Sequence, residues 1–460
     1  MKIGRYEICG LLGRGGMGAV YKAAMPVTGR IVALKVLKPA EIMEDLVGLD
    51  KLSEMFLKEA TTMASISHTN IASILDVHDG ADGQPAHFTM EYFCGNLGVV
   101  MGENYEVEKP SRRLGVEASI HIAREMLHGL DRLHYEGIIH RDVKPFNVML
   151  AEDEGGVGHV KLIDFGLSKL RGERTPGPKG MVIGSPYYTA PEQEADPETA
   201  DARSDIFSVG ITLYRMLTGS LPAENVQERR PVCELHKDLD CAWDDMFNLA
   251  IAPNPNDRYP DAIAMVNALD VLEIQWNEQR DAVCSSASLL LETERHAPGW
   301  SPRFTPVKAT TKKARTTFNL DELWRPNEYG MSDFNDNGDN TIQDRATGLV
   351  WEQYGSRYPL TWEKAHSHVM RLNKQAYSNR TDWRLPTIDE LTTLFTGRTE
   401  PGDFCQESAF DPRKARLWSS DTKAHTAAWY ADAELGFVWW QDRTCRFFAR
   451  AVCDKTSCSP

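Results

Sequence analysis

The sequence predicts an α+β chain of more than one domain: a small β-rich lobe, a larger helical lobe, and a separate α+β domain toward the C-terminus. Three observations carry that expectation. A chain of 460 residues is too long for one core at about 100–200 residues per domain. The apolar, β-branched run Ile31-Val32-Ala33-Leu34-Lys35-Val36-Leu37 reads as a strand and is followed by segments with apolar residues at helical spacing. The texture then changes twice, after Trp276 and again near residue 326.

Residues 1–93 form the predicted small lobe. Its one helix covers 50–66, where Leu52, Met55, Phe56, Met63 and Ile66 fall on or near one face. Residues 94–276 form the predicted helical lobe, with helices over 117–135, 205–218 and 261–274. Residues 277–325 read as a linker, rich in Ser, Thr, Pro and Lys/Arg with little periodicity. Within it, 303–318 carries threonines and basic residues with no acid, which suits a soluble tether or a phosphorylated segment. Residues 326–460 are rich in Trp and Tyr, with Asn-Gly and Thr-Gly turn signals.

A hydrophobic content of 42% with 25% charged residues is that of an ordinary globular protein. The formal net charge of −15 argues against a nucleic-acid partner, because a phosphate backbone needs a basic footprint. No run of 18 apolar residues occurs, so no membrane span is expected. The start, Met1 to Tyr6, lacks an apolar signal core, so a cytoplasmic location with reduced thiols is expected, while the clustering of Cys405, Cys445, Cys453 and Cys458 leaves a disulfide open.

Gly13-Arg14-Gly15-Gly16-Met17-Gly18-Ala19-Val20 lies between two strand-like runs, where missing side chains let backbone approach phosphates. Lys35 follows on the next strand as a point charge for phosphate, and Glu59 on the 50–66 helix is its expected partner, ahead of Glu54. The decisive segment is His140-Arg141-Asp142-Val143-Lys144-Pro145-Phe146-Asn147, with Asp164-Phe165-Gly166 downstream. Asp142 can take a proton from a hydroxyl, Lys144 can neutralise a transferring phosphoryl group, and Asn147 and Asp164 are hard oxygen ligands for Mg²⁺.

In order and spacing these motifs resemble the bacterial Hanks-type serine/threonine protein kinases, from residue 6 to about 274. The resemblance implies a bilobal protein kinase fold, ATP and Mg²⁺ as cofactors, and proteins with Ser or Thr as substrates. Lys144 in Asp142-Val143-Lys144-Pro145 is the serine/threonine pattern. It also implies ATP contacts from Gly13, Gly15, Gly18, Val20 and Lys35, with Met90 as gatekeeper and the base held by the Glu91 carbonyl and Phe93 amide. Arg141, Thr175 and Ser185 are the implied regulatory residues, Thr175 as a phosphorylation site. Glu192 is expected to pair with Arg258, and Asp205 to bind the catalytic-loop backbone.

Downstream, Asp336-Asn337-Gly338-Asp339, Thr347-Gly348-Leu349-Val350-Trp351, Asp382-Trp383-Arg384-Leu385-Pro386-Thr387 and Trp418-Ser419-Ser420 resemble the Lcl C-terminal family over about 333–454. The resemblance implies a C-type lectin-like, formylglycine-generating-enzyme-like α+β fold that holds an unknown protein or small ligand. Asp333, Asp336 and Asp339 could serve Ca²⁺, but a simple hairpin is the favoured reading. The expected ligand surface is Trp439, Trp440, Arg443, Arg446 and Phe447. Two functions follow: an active kinase with a C-terminal recognition domain, or a lectin-like receptor, such as the retroelement-diversified members of that fold, using the kinase fold as a relay.

Overall fold

The computed structural model describes residues 1–15, 18–80, 83–103, 109–151, 158–165, 186–196, 199–286, 302–330, 332–395 and 409–454. The described chain divides into two compact units, the first ending at Cys284 and the second chiefly Ser285–Pro460.

In the first unit an antiparallel six-stranded sheet runs in the order β1-β2-β3-β4-β6-β5. These strands are β1 (Lys2–Ile3), β2 (Tyr6–Gly15), β3 (Gly18–Ala24), β4 (Ile31–Leu37), β5 (Ile74–His78) and β6 (His87–Glu91). β4 is paired on both sides and nearly all of it is buried, which explains why its residues are apolar apart from Lys35. After a short helix, α1 (Glu41–Val47), comes α2 (Leu49–Ala64), which buries Leu52, Phe56, Glu59, Ala60 and Met63 along one stripe. Leu52, Phe56 and Ala60 pack with Ala33, Phe88 and Met90 of the sheet. Glu59 is the one charge in that stripe, and a charge is retained there only with a partner.

The helical lobe follows β7 (Gly95–Asn96) and α3 (Leu97–Met101). It is built on α4 (Val116–Tyr135) and α6 (Ala202–Thr218), with α5 (Pro191–Ala195), α7 (Val232–Leu235), α8 (Cys241–Ala250) and α9 (Ala262–Ser286) around them. α6 starts in a capping box between Asp201 and Ser204 and ends on Gly219 in the left-handed conformation. Nearly every residue between them is buried, so α6 is the lobe's central post. β8 (Val148–Leu150) and β9 (Val160–Leu162) pair antiparallel, Val148 opposite Leu162, in a small sheet with β7. Residues 152–157 lie outside the described residues, and Ala151 N donates to His159 O (2.8 Å) across them.

Among the described residues the second unit holds two sheets. One has the order β10 (Phe334–Asp336), β11 (Thr341–Asp344), β12 (Leu349–Glu352) and β16 (Val452–Asp454), and the other is β13 (Arg416–Ala424), β14 (Ala427–Asp432) and β15 (Phe437–Asp442). Helices α11 (Trp362–Lys374) and α12 (Ile388–Thr392) also belong to it. Trp351, Leu391, Leu394, Phe395, Trp429 and Val438 are among the residues of its core.

The expected linker is corrected here. Residues 302–325 are part of the second unit, and α10 (Thr311–Thr317) lies within them. Ala309, Ala314, Phe318 and Leu320 are buried in the same core as Trp351 and Trp429. Val307 and Ala309 run beside β13 through Thr422 N to Val307 O and Ala309 N to Thr422 O, both 2.9 Å. The physical reason is that four small or well-spaced apolar residues suffice to bury one side of a short extended segment and helix, even among lysines and threonines. Cys445 is disulfide-bonded, whereas Cys453 is a buried free thiol.

Candidate active site

The strands place the first charge. Lys35 sits on central β4 with its side chain among apolar neighbours, 8% exposed. Its Nζ lies 2.9 Å from Glu59 Oε1 and 2.9 Å from Asp164 Oδ1. Glu54, one turn earlier on α2, is exposed. Burial alone lowers the Lys35 pKa, but the carboxylates of Asp164 and Glu59 outweigh it and hold the ammonium above its ordinary value. The group is therefore a cation at any physiological pH.

The glycines of the preceding hairpin are not alike. A Cβ on Gly18 would stand 2.1 Å from Val36 O, so the close approach of β3 to β4 itself demands glycine. A Cβ on Gly13 or Gly15 would meet nothing within 4 Å, so packing does not demand glycine at these two positions. Val20 pairs across to Lys35 and packs against the core below it. Gly16, Met17 and Gly166 lie outside the described residues.

The catalytic-loop segment is held from behind by α6. Asp205 Oδ2 accepts from His140 N and Oδ1 from Arg141 N, both 2.8 Å, and Oδ2 also contacts His134 Nε2 at 2.8 Å. This matters because Arg141 has φ of 65° and Asp164 of 58°. Such left-handed backbone costs about 1–3 kcal/mol for a side-chain-bearing residue and persists only where its surroundings fix it. Burial pushes the His140 imidazole below its ordinary pKa, so the ring packed beside Phe165 is neutral.

Asp142, Lys144 and Asn147 then form one cluster. Lys144 Nζ reaches Asp142 Oδ1 and Oδ2 at 2.8 and 3.0 Å. Asn147 Nδ2 donates to Asp142 O and Oδ2, both 2.8 Å. With the amide nitrogen committed to Asp142, Oδ1 is the atom that Asn147 can offer to a cation. Asn147 precedes β8 and Asp164 follows β9, so the Val148–Leu162 pairing sets the two side by side. An amide oxygen and a carboxylate are a hard donor set that fits Mg²⁺.

At the back of the small lobe, Met90 is buried beside Ile74 in the α2–sheet core. The Glu91 carboxylate accepts from Ser73 N (3.0 Å) and pairs with Lys161 (3.2 Å). Phe93 is half-buried just beyond β6. Thr175 and Ser185 lie outside the described residues; Arg141 Nε is buried without a hydrogen-bond partner among the described ones.

Sequence reasoning missed a second buried network. Glu103 meets Arg215 Nε and the Tyr188 hydroxyl, both at 2.6 Å. Burial raises the Glu103 pKa, with Arg215 opposing, and raises that of Tyr188 well above the usual value. Only the pattern of an arginine and glutamate otherwise lacking a reason to be buried could have signalled it. Beside it, Arg258 clasps Glu192 with two hydrogen bonds (2.7 and 2.8 Å), and Ser204 Oγ adds a third at 2.6 Å.

In the second unit the expected ligand surface is only partly at the surface. Phe447 is corrected: it is 3% exposed, its ring 4.4 Å from Tyr430 and 4.7 Å from Trp418, on a segment whose backbone is tied to Leu360 by two hydrogen bonds (2.7 and 3.0 Å). Trp439 stands edge-on to Trp324 at 4.5 Å, Lys423 lies over Trp440, and Arg443 lies over Trp362. Arg446 is exposed. The Asp336 and Asp339 carboxylates accept from Gly338 N and Thr341 N, which is hairpin geometry.

Residues 6–269 match the protein kinase domain family, and residues 340–453 the Lcl C-terminal domain family. A probable serine/threonine-protein kinase of Clostridium acetobutylicum is 35% identical over 277 residues, 58% of this chain and 39% of that protein. Serine/threonine-protein kinase PksC of Streptomyces coelicolor is 36% identical over 279 residues, 57% of this chain and 48% of that protein. The chain thus spans less than half the length of these curated relatives. The crystal structure of the Mycobacterium tuberculosis PknI kinase domain covers 61% of this chain and 98% of its own, at 24% identity and a TM-score of 0.43. Among the described residues no helix is long and apolar enough to cross a membrane. With the first match spanning more than half of its residues, the chain belongs to the protein kinase family, and an Lcl C-terminal domain follows the kinase domain.

Proposed function

We propose that the protein transfers the γ-phosphoryl group of ATP to serine or threonine hydroxyls of protein substrates. The carrying observation is the paired state of the cleft: Lys35 on Glu59 and Asp164, and Asp142 on Lys144 and Asn147. In this reading Lys35 binds the α- and β-phosphates, beneath the hairpin that carries Gly13 and Gly15. Met90 closes the rear of the base pocket, and Glu91 and Phe93 offer backbone to the base. Asp142 accepts the proton of the substrate hydroxyl, and Lys144 balances charge on the group in flight. Asn147 and Asp164 would hold Mg²⁺, which supplies charge neutralisation on the phosphates.

The test is autophosphorylation and peptide phosphorylation with ATP and Mg²⁺. Asp142→Ala should lower turnover by about 10²–10⁴-fold while the thermal unfolding profile stays in place. Equal turnover in the variant would remove Asp142 from the chemistry.

For the C-terminal domain the reading is a recognition module that selects protein substrates. Support comes from half-buried Trp439, Trp440 and Arg443 and exposed Arg446 along one stretch of chain. A Trp440→Ala, Arg446→Ala double variant should phosphorylate a short peptide at the wild-type rate yet label a different set of proteins in a dephosphorylated lysate. An unchanged set would place recognition elsewhere.

A further inference from the structure

The segment between α6 and α8 carries chemistry that phosphoryl transfer does not use. Cys233 lies on the short helix α7, Cys241 is the first residue of α8, and Asp244 follows it by three residues on the same helix face. Val232 N donates to Asp244 Oδ1, which fastens the start of α7 to α8 and brings Cys233 alongside Cys241. The two sulfurs and a carboxylate oxygen all lie within 4.8 Å of one another, and both cysteines are free thiols.

We propose that Cys233, Cys241 and Asp244 form a binding site for a thiophilic divalent cation, with zinc the best match to two sulfurs and one oxygen. Zinc binds thiolates at about 2.3 Å in tetrahedral geometry, which sets two sulfurs roughly 3.8 Å apart. Side-chain rotation alone therefore draws the three donors onto one ion. A disulfide would need the sulfurs at about 2.05 Å. Sulfur is too soft a donor for magnesium or calcium, so this site and the cleft would take different ions.

A divalent ion would neutralise the negative charge that two thiolates and a carboxylate bring together. Cys241 is exposed, so a fourth position is open to water. None of the three residues belongs to the cleft, and the bound ion would clamp α7, only four residues long, onto α8.

The full-length protein, purified with a phosphine reductant and freed of metal, is titrated with zinc chloride against a chromogenic chelator. One zinc per chain is expected to bind through this site. Cys233→Ser or Cys241→Ser should weaken it by about 100-fold or more, and Asp244→Asn by about 10-fold. Zinc should raise the melting temperature of the wild type and not of the serine variants. Because Cys241 is exposed, its serine variant keeps the fold and gives a readable result. Equal zinc affinity in the wild type and a Cys233→Ser, Cys241→Ser double variant would overturn the proposal. So would a Cys233–Cys241 disulfide, detected as a loss of two hydrogens in the peptide mass after purification without reductant.

Discussion

The two units carry motifs of similar sharpness, and the motifs do opposite work. In the kinase domain the polar motif residues converge on one cleft, Lys35 on Glu59 and Asp164, and Asp142 on Lys144 and Asn147. In the second unit the motif residues secure the chain to itself. Thr387 and Glu390 make a capping box, and Arg384 binds Glu390 at 2.7 and 2.6 Å. Thr347 Oγ1 donates to Asp344, and Ser419 Oγ to Trp429 O. A pattern of fixed residues is thus a statement about constraint. Whether the constraint is chemical or architectural depends on whether the polar atoms end on each other's backbone or on shared open space.

That contrast can be broken. Asp421, fully buried, accepts two hydrogen bonds from Arg303 (3.0 Å each) and one each from Val307 N and Ile388 N (2.7 Å). Asp421→Ala should cost the second unit about 3–5 kcal/mol, because it strands those donors and a half-buried guanidinium. Peptide phosphorylation should be unchanged; calorimetry beside a turnover assay checks both, and a parallel fall in turnover would end the division of labour. Glu59→Ala should do the reverse, lowering turnover by about 100-fold through misplacement of Lys35 while calorimetry shows the second unit unmoved.

The smallest effect sharpens the contrast, because the kinase domain also contains an architectural motif. Burial pushes the Glu192 pKa up, but hydrogen bonds from Arg258 and Ser204 win, and it lies below its ordinary value of 4.5. A depressed folded-state pKa stabilises fully above 4.5 and is lost as pH falls through the folded value. Urea unfolding between pH 6 and pH 3 should therefore show a shallower acid-side loss in Glu192→Gln than in the wild type.

Much of the kinase domain could be read from its sequence because its reactive residues sit in short contiguous words. Asp142, Lys144 and Asn147 lie within six positions, and Glu59 follows from helical spacing. The Glu103–Arg215–Tyr188 network could not be read, since its members come from three distant segments that meet only once the lobe is packed. The stretch 302–325 misled for another reason. Its buried residues are sparse and two of them are alanine, so neither period nor hydrophobicity marks them. Phe447 misled because it lies between β15 and β16, where only the bridge to distant Leu360 fixes which way its ring faces.

The course of residues 302–325 also determines where the chain can be cut. A recombinant fragment begun at residue 326 would lack Ala309, Ala314, Phe318 and Leu320, together with Arg303, whose two hydrogen bonds hold Asp421. Vacating one large apolar position alone costs about 2–5 kcal/mol, so such a truncation would be sticky and poorly folded, and anything it captured would report exposed interior. A usable boundary falls upstream of Pro302.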